Sequence, residues 1–154
     1  KKVYKALVWG QLKKSGVVDE KIDRHPKNRK IFSVSVSSGR KSYTEYILDN
    51  YFPPISLVNL FPKTGRTHQL RVHLKFIGHP IFSDVSYGGG IKNAKSFHVK
   101  YTQIINRLSK VIPRVALHAK SIEFKHPKSN KIMNFNAPIP KDFKLAINLL
   151  EDEK

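Results

Sequence analysis

The chain contains no cysteine, which excludes a disulfide framework and any zinc site built on thiolates, and fits a reducing compartment, the cytoplasm first. Acidic residues are scarce: 11 Asp and Glu stand against 29 Lys and Arg, a net charge of +18 on 17.7 kDa. So much charge of one sign repels itself unless a polyanion is the working partner, and nucleic acid is the first candidate. The deficit is uneven, because Asp84 is the only acid between Asp49 and Glu123, a stretch that holds eleven Lys or Arg. Long hydrophobic runs are also missing, so neither a membrane span nor a signal-peptide core can be placed. No repeat or low-complexity segment breaks the chain, and its length suits one core, so residues 1–154 read as a single domain. The chain opens on Lys1-Lys2, without Met, directly before a strand-like run, which reads as an internal segment of something longer.

The hydrophobic pattern gives an α+β fold with a mixed, largely antiparallel sheet and few helices. Val3 to Trp9 is the first strand. Gly10 to Arg29 is a long connection with room for a short strand near Val17-Val18. Phe32 to Val36 alternates apolar and polar residues, the mark of a half-buried strand, and Ser42 to Leu48 and Ser56 to Phe61 flank the Pro53-Pro54 turn as two more. The period changes at Thr67: Leu70, Leu74 and Ile77 fall at i, i+4 and i+7, one face of a helix with Thr67 as its N-cap and Gly78 as its stop. Residues 88–111 read as an insertion or mobile surface loop, with room for a short helix near Thr102 to Leu108. Ala116 to Phe124 and Lys131 to Phe135 form a closing hairpin. A last helix runs from about Lys141 to Leu150, with Phe143, Ala146, Ile147 and Leu150 on its apolar side.

The segment richest in chemistry is Thr64 to Leu74, which sets Arg66, His68, Gln69, Arg71 and His73 around one helix start. A helix N-terminus favours an anion, and arginine can hold a carboxylate or phosphate by two parallel hydrogen bonds. With acids nearly absent nearby, Arg66 and Arg71 are expected to serve an external anion. His68 and Lys75 fall on the side opposite the apolar face, so the helix packs by one face and presents a basic one. His68, His73 and His79 lack the i, i+4 spacing of helical zinc motifs, so no metal site is expected. No nucleophile elbow or Walker loop occurs. Tyr4, Trp9 and Tyr43, interleaved with lysines, are as a group candidates for stacking on an unpaired base, whereas for any one of them taken singly core packing is the favoured reading.

Gly65-Arg66-Thr67-His68-Gln69-Leu70-Arg71-Val72-His73-Leu74, followed by Gly78-His79-Pro80-Ile81, Asp84 and Tyr87-Gly88, closely resembles the signature of the RluA-like pseudouridine synthases, the large-ribosomal-RNA type. Lys2 to Gly10 is similar to that family's tyrosine-bearing strand, and Leu117-His118-Ala119 through Pro140-Lys141-Asp142-Phe143 to its C-terminal strands. The resemblance implies the C-terminal portion of a catalytic domain that isomerises uridine to pseudouridine in structured RNA, ribosomal or transfer, without a cofactor. In the family an aspartate attacks the extruded nucleotide, an aromatic residue packs on the base, and an arginine pairs with the aspartate. By motif Tyr4 matches the aromatic residue and Arg71 the arginine, with Arg66 as second choice. Arg66, His68, Gln69 and Lys75 are then the expected RNA-binding residues.

Two departures stand out. The family's His-Arg-Leu-Asp motif, which holds the nucleophile, is absent from these residues: Asp19, Asp23, Asp49, Asp84, Asp142 and Asp152 match no such context. Ser83 stands where the family usually has glycine. The 154-residue chain alone is therefore expected to be inactive. The competing reading is a non-catalytic RNA-binding module on the same scaffold. A basic ribosomal structural protein explains the charge but not the Gly-Arg-Thr-His-Gln string.

Overall fold

The computed structural model describes residues 1–153, and Lys154 lies outside the described residues. Eight strands, β1 Lys2–Trp9, β2 Ser15–Asp19, β3 Ile22–Arg24, β4 Phe32–Val34, β5 Tyr43–Phe52, β6 Ile55–Pro62, β7 Leu117–Lys125 and β8 Ile132–Asn136, accompany three α-helices, α1 Gln69–Phe76, α2 Thr102–Val111 and α3 Lys141–Asp152. Six of the strands form one sheet in the order β2-β5-β6-β1-β7-β8, and every pairing in it is antiparallel. The α+β class and the antiparallel sheet agree with the hydrophobic pattern.

At the centre of the sheet β1 lines up Tyr4 with Leu60 of β6 and Ala119 of β7. Ala6, Leu7, Val8 and Trp9 are all buried, so this strand is covered on both faces rather than one. The β1–β7 ladder slips between Val3 and Tyr4, where Val3 faces Ser121 and Tyr4 faces Ala119, leaving Lys120 as an extra residue. Such a bulge re-aims side chains, and this one lies beside Tyr4.

Three expectations are corrected. Phe32–Val34 joins only β3, in a separate two-stranded ribbon, and Val36 is 94% exposed, so the alternating run is shorter and more peripheral than its pattern suggests. Residues 88–111 are not a loose surface loop. They carry two 3-10 turns, Ile91–Ser96 and Val99–Tyr101, and helix α2, whose Ile104, Ile105 and Leu108 lie in the main core. The third removes Trp9 from the stacking group, in line with the core-packing reading of it taken singly: it is 1% exposed, packs against Phe82 and Phe97 and donates from Nε1 to the Gly89 carbonyl at 2.8 Å.

Ser83 has φ 62, in the left-handed region that costs a side chain steric strain and that glycine adopts without it. Its hydroxyl donates to the Ile112 carbonyl at 3.1 Å, a bond that glycine lacks.

Candidate functional site

The site forms where β1, the end of β6, the Thr64–Arg66 turn and the start of α1 converge. The residue that opens α1 is not Thr67 but His68, which takes φ 55, a left-handed conformation rare for a residue with a side chain. Its geometry is held by a hydrogen bond between Nδ1 and the Tyr87 hydroxyl, 2.8 Å, and by edge-on contacts with the rings of Phe32 and Tyr87. The Tyr87 hydroxyl also accepts from the Phe32 backbone N–H at 3.0 Å. The Tyr87 hydroxyl thus bridges the Phe32 backbone and the His68 ring. Burial, and after it the charge of Arg71, holds the His68 pKa below the ordinary histidine value, in keeping with a neutral ring.

Gln69 needs a correction. It was expected to contact RNA, but it is 4% exposed and its amide is fully engaged inside the protein. Oε1 accepts from the Thr64 hydroxyl at 2.7 Å and from the Arg66 N–H at 3.0 Å, while Nε2 donates to the Tyr43 carbonyl and to Thr44 Oγ1, both at 3.0 Å. The network continues from Thr44 Oγ1 to Nδ1 of the buried His73 at 2.9 Å, and from His73 Nε2 towards the Glu20 carbonyl at 3.4 Å. A Gln and a His at i, i+4 thus knit α1 to β5 and fix the shape of the Thr64–Gly65–Arg66 turn. Sequence reasoning missed this role, although the spacing does place Gln69 and His73 on one helical face beside Leu70 and Leu74.

Arg71 is the second correction. Its scarcity of acidic neighbours suggested a free guanidinium, yet the one acid of the stretch meets it: Nε donates to Asp84 Oδ2 at 2.7 Å and Nη2 to Oδ1 at 2.8 Å. Asp84 is fully buried, and the guanidinium also lies 4.5 Å from the centre of the Tyr87 ring. The paired carboxylate raises the Arg71 pKa further, so its charge is permanent. Of the five guanidinium hydrogens, Asp84 takes two, and the end-on edge made by Nη1 and the second Nη2 hydrogen has no partner among the described residues.

These groups surround a cavity of about 250 Å³ whose walls include Tyr4, Gly65, Arg66, His68 and Arg71, with Lys2 at the rim and Leu117 behind. A Cβ on Gly65 would come within 3.2 Å of Lys2 Nζ, the end of an exposed and flexible side chain. Tyr4, far from the others in the chain, is therefore brought together with Arg66, His68 and Arg71, and the buried Gln69 forms part of the same wall. Lys75 is not: it is exposed on α1 with its ammonium 5.9 Å from the Tyr87 ring centre, and it does not line the cavity. Among the described residues no cluster of His, Cys, Asp or Glu suits a metal ion, and no helix is long and apolar enough to cross a membrane.

A family model described as RNA pseudouridylate synthase matches residues 1–76. Over 152 residues the chain is 35% identical to ribosomal large subunit pseudouridine synthase D of Vibrio cholerae, covering 98% of this chain and 45% of that protein. The chain belongs to the RNA pseudouridine synthase family. The protein of that same name from Nitrosomonas europaea is 38% identical over 99% of this chain and 41% of its own length. An uncharacterized RNA pseudouridine synthase of Chlorobaculum parvum is 37% identical over 95% of this chain and 46% of its own. The chain thus spans less than half of each of these relatives. Among solved structures, human RNA pseudouridylate synthase domain containing 1 superposes with a TM-score of 0.67 at 26% identity, covering 90% of this chain and 54% of that one. Human RNA pseudouridylate synthase domain containing 4, at 22% identity, shares the fold with a TM-score of 0.72.

Proposed function

We propose that the protein to which these residues belong isomerises uridine to pseudouridine in structured RNA, in the cytoplasm and without a cofactor, and that the cavity described above receives the uridine. The observation that carries this is the convergence of Tyr4 and Arg71 on one cavity. A base lifted out of its stack loses a few kcal/mol, about what stacking on an aromatic ring and new hydrogen bonds return. Tyr4 supplies the ring. Arg71, already anchored by Asp84 along one edge, offers its end-on edge to a second carboxylate and keeps it ionised for attack at the sugar. Arg66 and His68 stand at the mouth, and Arg66 contacts the RNA backbone.

Asp84 is not that second carboxylate. It is 1% exposed on its side chain and both oxygens are engaged by Arg71. An attacking oxygen needs access to the ribose, which Asp84 lacks, and none of the other five aspartates lines the cavity, so the nucleophile in this reading is an aspartate outside the set present here. The test is tritium release from RNA labelled at carbon 5 of uridine. The whole protein releases tritium, while the 154-residue polypeptide alone does not. Turnover by that polypeptide would place the nucleophile among its own aspartates. Tight RNA binding by the whole protein without any release would support the non-catalytic binding module instead.

A further inference from the structure

Next to the Tyr4 cavity lies a larger one that the isomerisation does not use. It measures about 620 Å³ and opens between the β3–β4 ribbon and the Gly65–Thr67 turn. Its walls carry Arg24, Arg29, Arg40 and Arg66, four guanidiniums against the single carboxylate of Asp23. None of the four forms an ion pair among the described residues. Asp23 is already satisfied by the Ser38 hydroxyl at 2.6 Å and the Arg24 N–H at 2.7 Å.

Two of the arginines are held in place by bonds that leave their charge available. Arg24 Nη1 donates to the Arg29 carbonyl at 2.6 Å and its guanidinium lies 5.1 Å from the centre of the Phe32 ring, while Arg66 Nε donates to the Lys41 carbonyl at 3.2 Å. Neutral carbonyls orient a guanidinium without neutralising it. The cleft is therefore preorganised for anions, with four guanidiniums spread along its walls. Gly65 and Arg66 line both this cleft and the Tyr4 cavity, so the two adjoin across the Gly65–Arg66 turn.

We propose that the arginine cleft holds successive backbone phosphates of the RNA strand on one side of the nucleotide that enters the Tyr4 cavity. This inference rests on the RNA reading above and names the surface that sets the strand's register. Phosphate contacts of this kind fix position without reading sequence. They also release counterions, so the logarithm of affinity falls with the logarithm of salt by about 0.7 for each single-strand phosphate neutralised.

The experiment is an RNA-binding salt series on the whole protein, its Arg24→Gln/Arg29→Gln/Arg40→Gln variant, the matching Arg→Lys variant, and a control in which Lys92, Lys95 and Lys110 become Gln. Circular dichroism and thermal melting accompany each. The cleft Gln variant is expected to lose at least tenfold in affinity at moderate salt and to flatten the salt slope by about one to two. The Lys variant recovers most of that loss, and the control, with the same charge change elsewhere, loses less than threefold. Equal losses in the cleft variant and the control overturn the cleft while leaving the RNA reading intact. No RNA binding by the unaltered protein overturns both. A Lys variant as weak as the Gln variant, with both folded, shows that the arginines act by shaping the ribbon and not by charge, and overturns the proposal as well. Methylphosphonate substitution at single phosphates beside the target uridine gives an independent reading: the unaltered protein loses affinity at the phosphates that the cleft holds, and the Gln variant does not.

Discussion

Arg71 and Asp84 form a two-point ion pair, 2.7 and 2.8 Å, that ties the first turn of α1 to the segment leading into Tyr87. Removing one partner of a buried pair leaves the other charge uncompensated. Asp84→Asn keeps the shape and one acceptor but loses the charge. It is expected to cost about 3 kcal/mol, which for a chain of this size lowers the melting temperature by roughly 6–12 °C. Thermal unfolding of the variant beside the unaltered protein measures it. A change of less than 2 °C would mean that solvent reaches the pair and that Arg71 is not anchored.

Arg71→Lys in the whole protein separates anchoring from chemistry. Lysine can satisfy Asp84 with one hydrogen bond but has no second edge to offer a nucleophile. Loss of a charge-assisted bond of about 1.5–3 kcal/mol in the transition state slows single turnover by roughly ten- to more than a hundredfold. RNA affinity rests on many phosphate contacts and should stay within about threefold. If Arg71→Lys turns over normally while Arg66→Ala binds RNA but is dead, Arg66 is the partner of the nucleophile.

Much of this was legible from residue pattern. The strand β1, the hairpin around Pro53-Pro54, helix α1 and helix α3 follow from period and turn chemistry, because each is set by local contacts. The Tyr4–Arg71 pairing came from motif resemblance, not from periodicity. What stayed hidden depends on tertiary partners. A Gln at a helix start reads as a surface donor until Thr64 and Thr44 are seen to enclose it, and Arg71 reads as free until the fold brings Asp84 to it. Within residues 88–111 the short helix near Thr102 to Leu108 was legible, but the seating of Ile104, Ile105 and Leu108 in the main core was not, because it depends on partners elsewhere in the chain. The arginine cleft gathers side chains from positions 24 to 66, and no window of sequence contains it.

The buried amide network gives a test of the corrected role of Gln69. Gln69→Ala strands the Thr64 hydroxyl, the Arg66 N–H and the Tyr43 carbonyl in a site with little water, a loss expected to be about 1–3 kcal/mol. Denaturant midpoints should fall accordingly, whereas RNA affinity measured well below the melting temperature should change less than threefold. A tenfold loss of affinity with unchanged stability would return Gln69 to the RNA surface.

The last prediction concerns pH. Burial, as the main cause in each, holds the pKa of His68 and His73 below the ordinary value, and each ring is fixed by a hydrogen bond at Nδ1, to the Tyr87 hydroxyl and to Thr44 Oγ1. In the unfolded chain these histidines take up protons as the pH falls through about 6.5, while in the folded protein they resist until a lower pH. The unfolded state then binds more protons, so stability rises with pH in this window. It is complete above about pH 6.5, declines as the pH drops below that value, and levels off under the folded-state pKa. Asp23 and Asp142, whose pKa values are lowered from 3.8 by their hydrogen bonds to Ser38 and Arg114, titrate further down and do not confuse the range above pH 5. Denaturant unfolding at pH 7.5 and 5.5 should show the drop. His73→Gln should be less stable than the unaltered protein at pH 7.5, with a shallower pH dependence, because one of the two resisting groups is gone. An identical pH dependence in the unaltered protein and in the separate His68→Gln and His73→Gln variants would show that other groups carry it and that these rings are not held neutral.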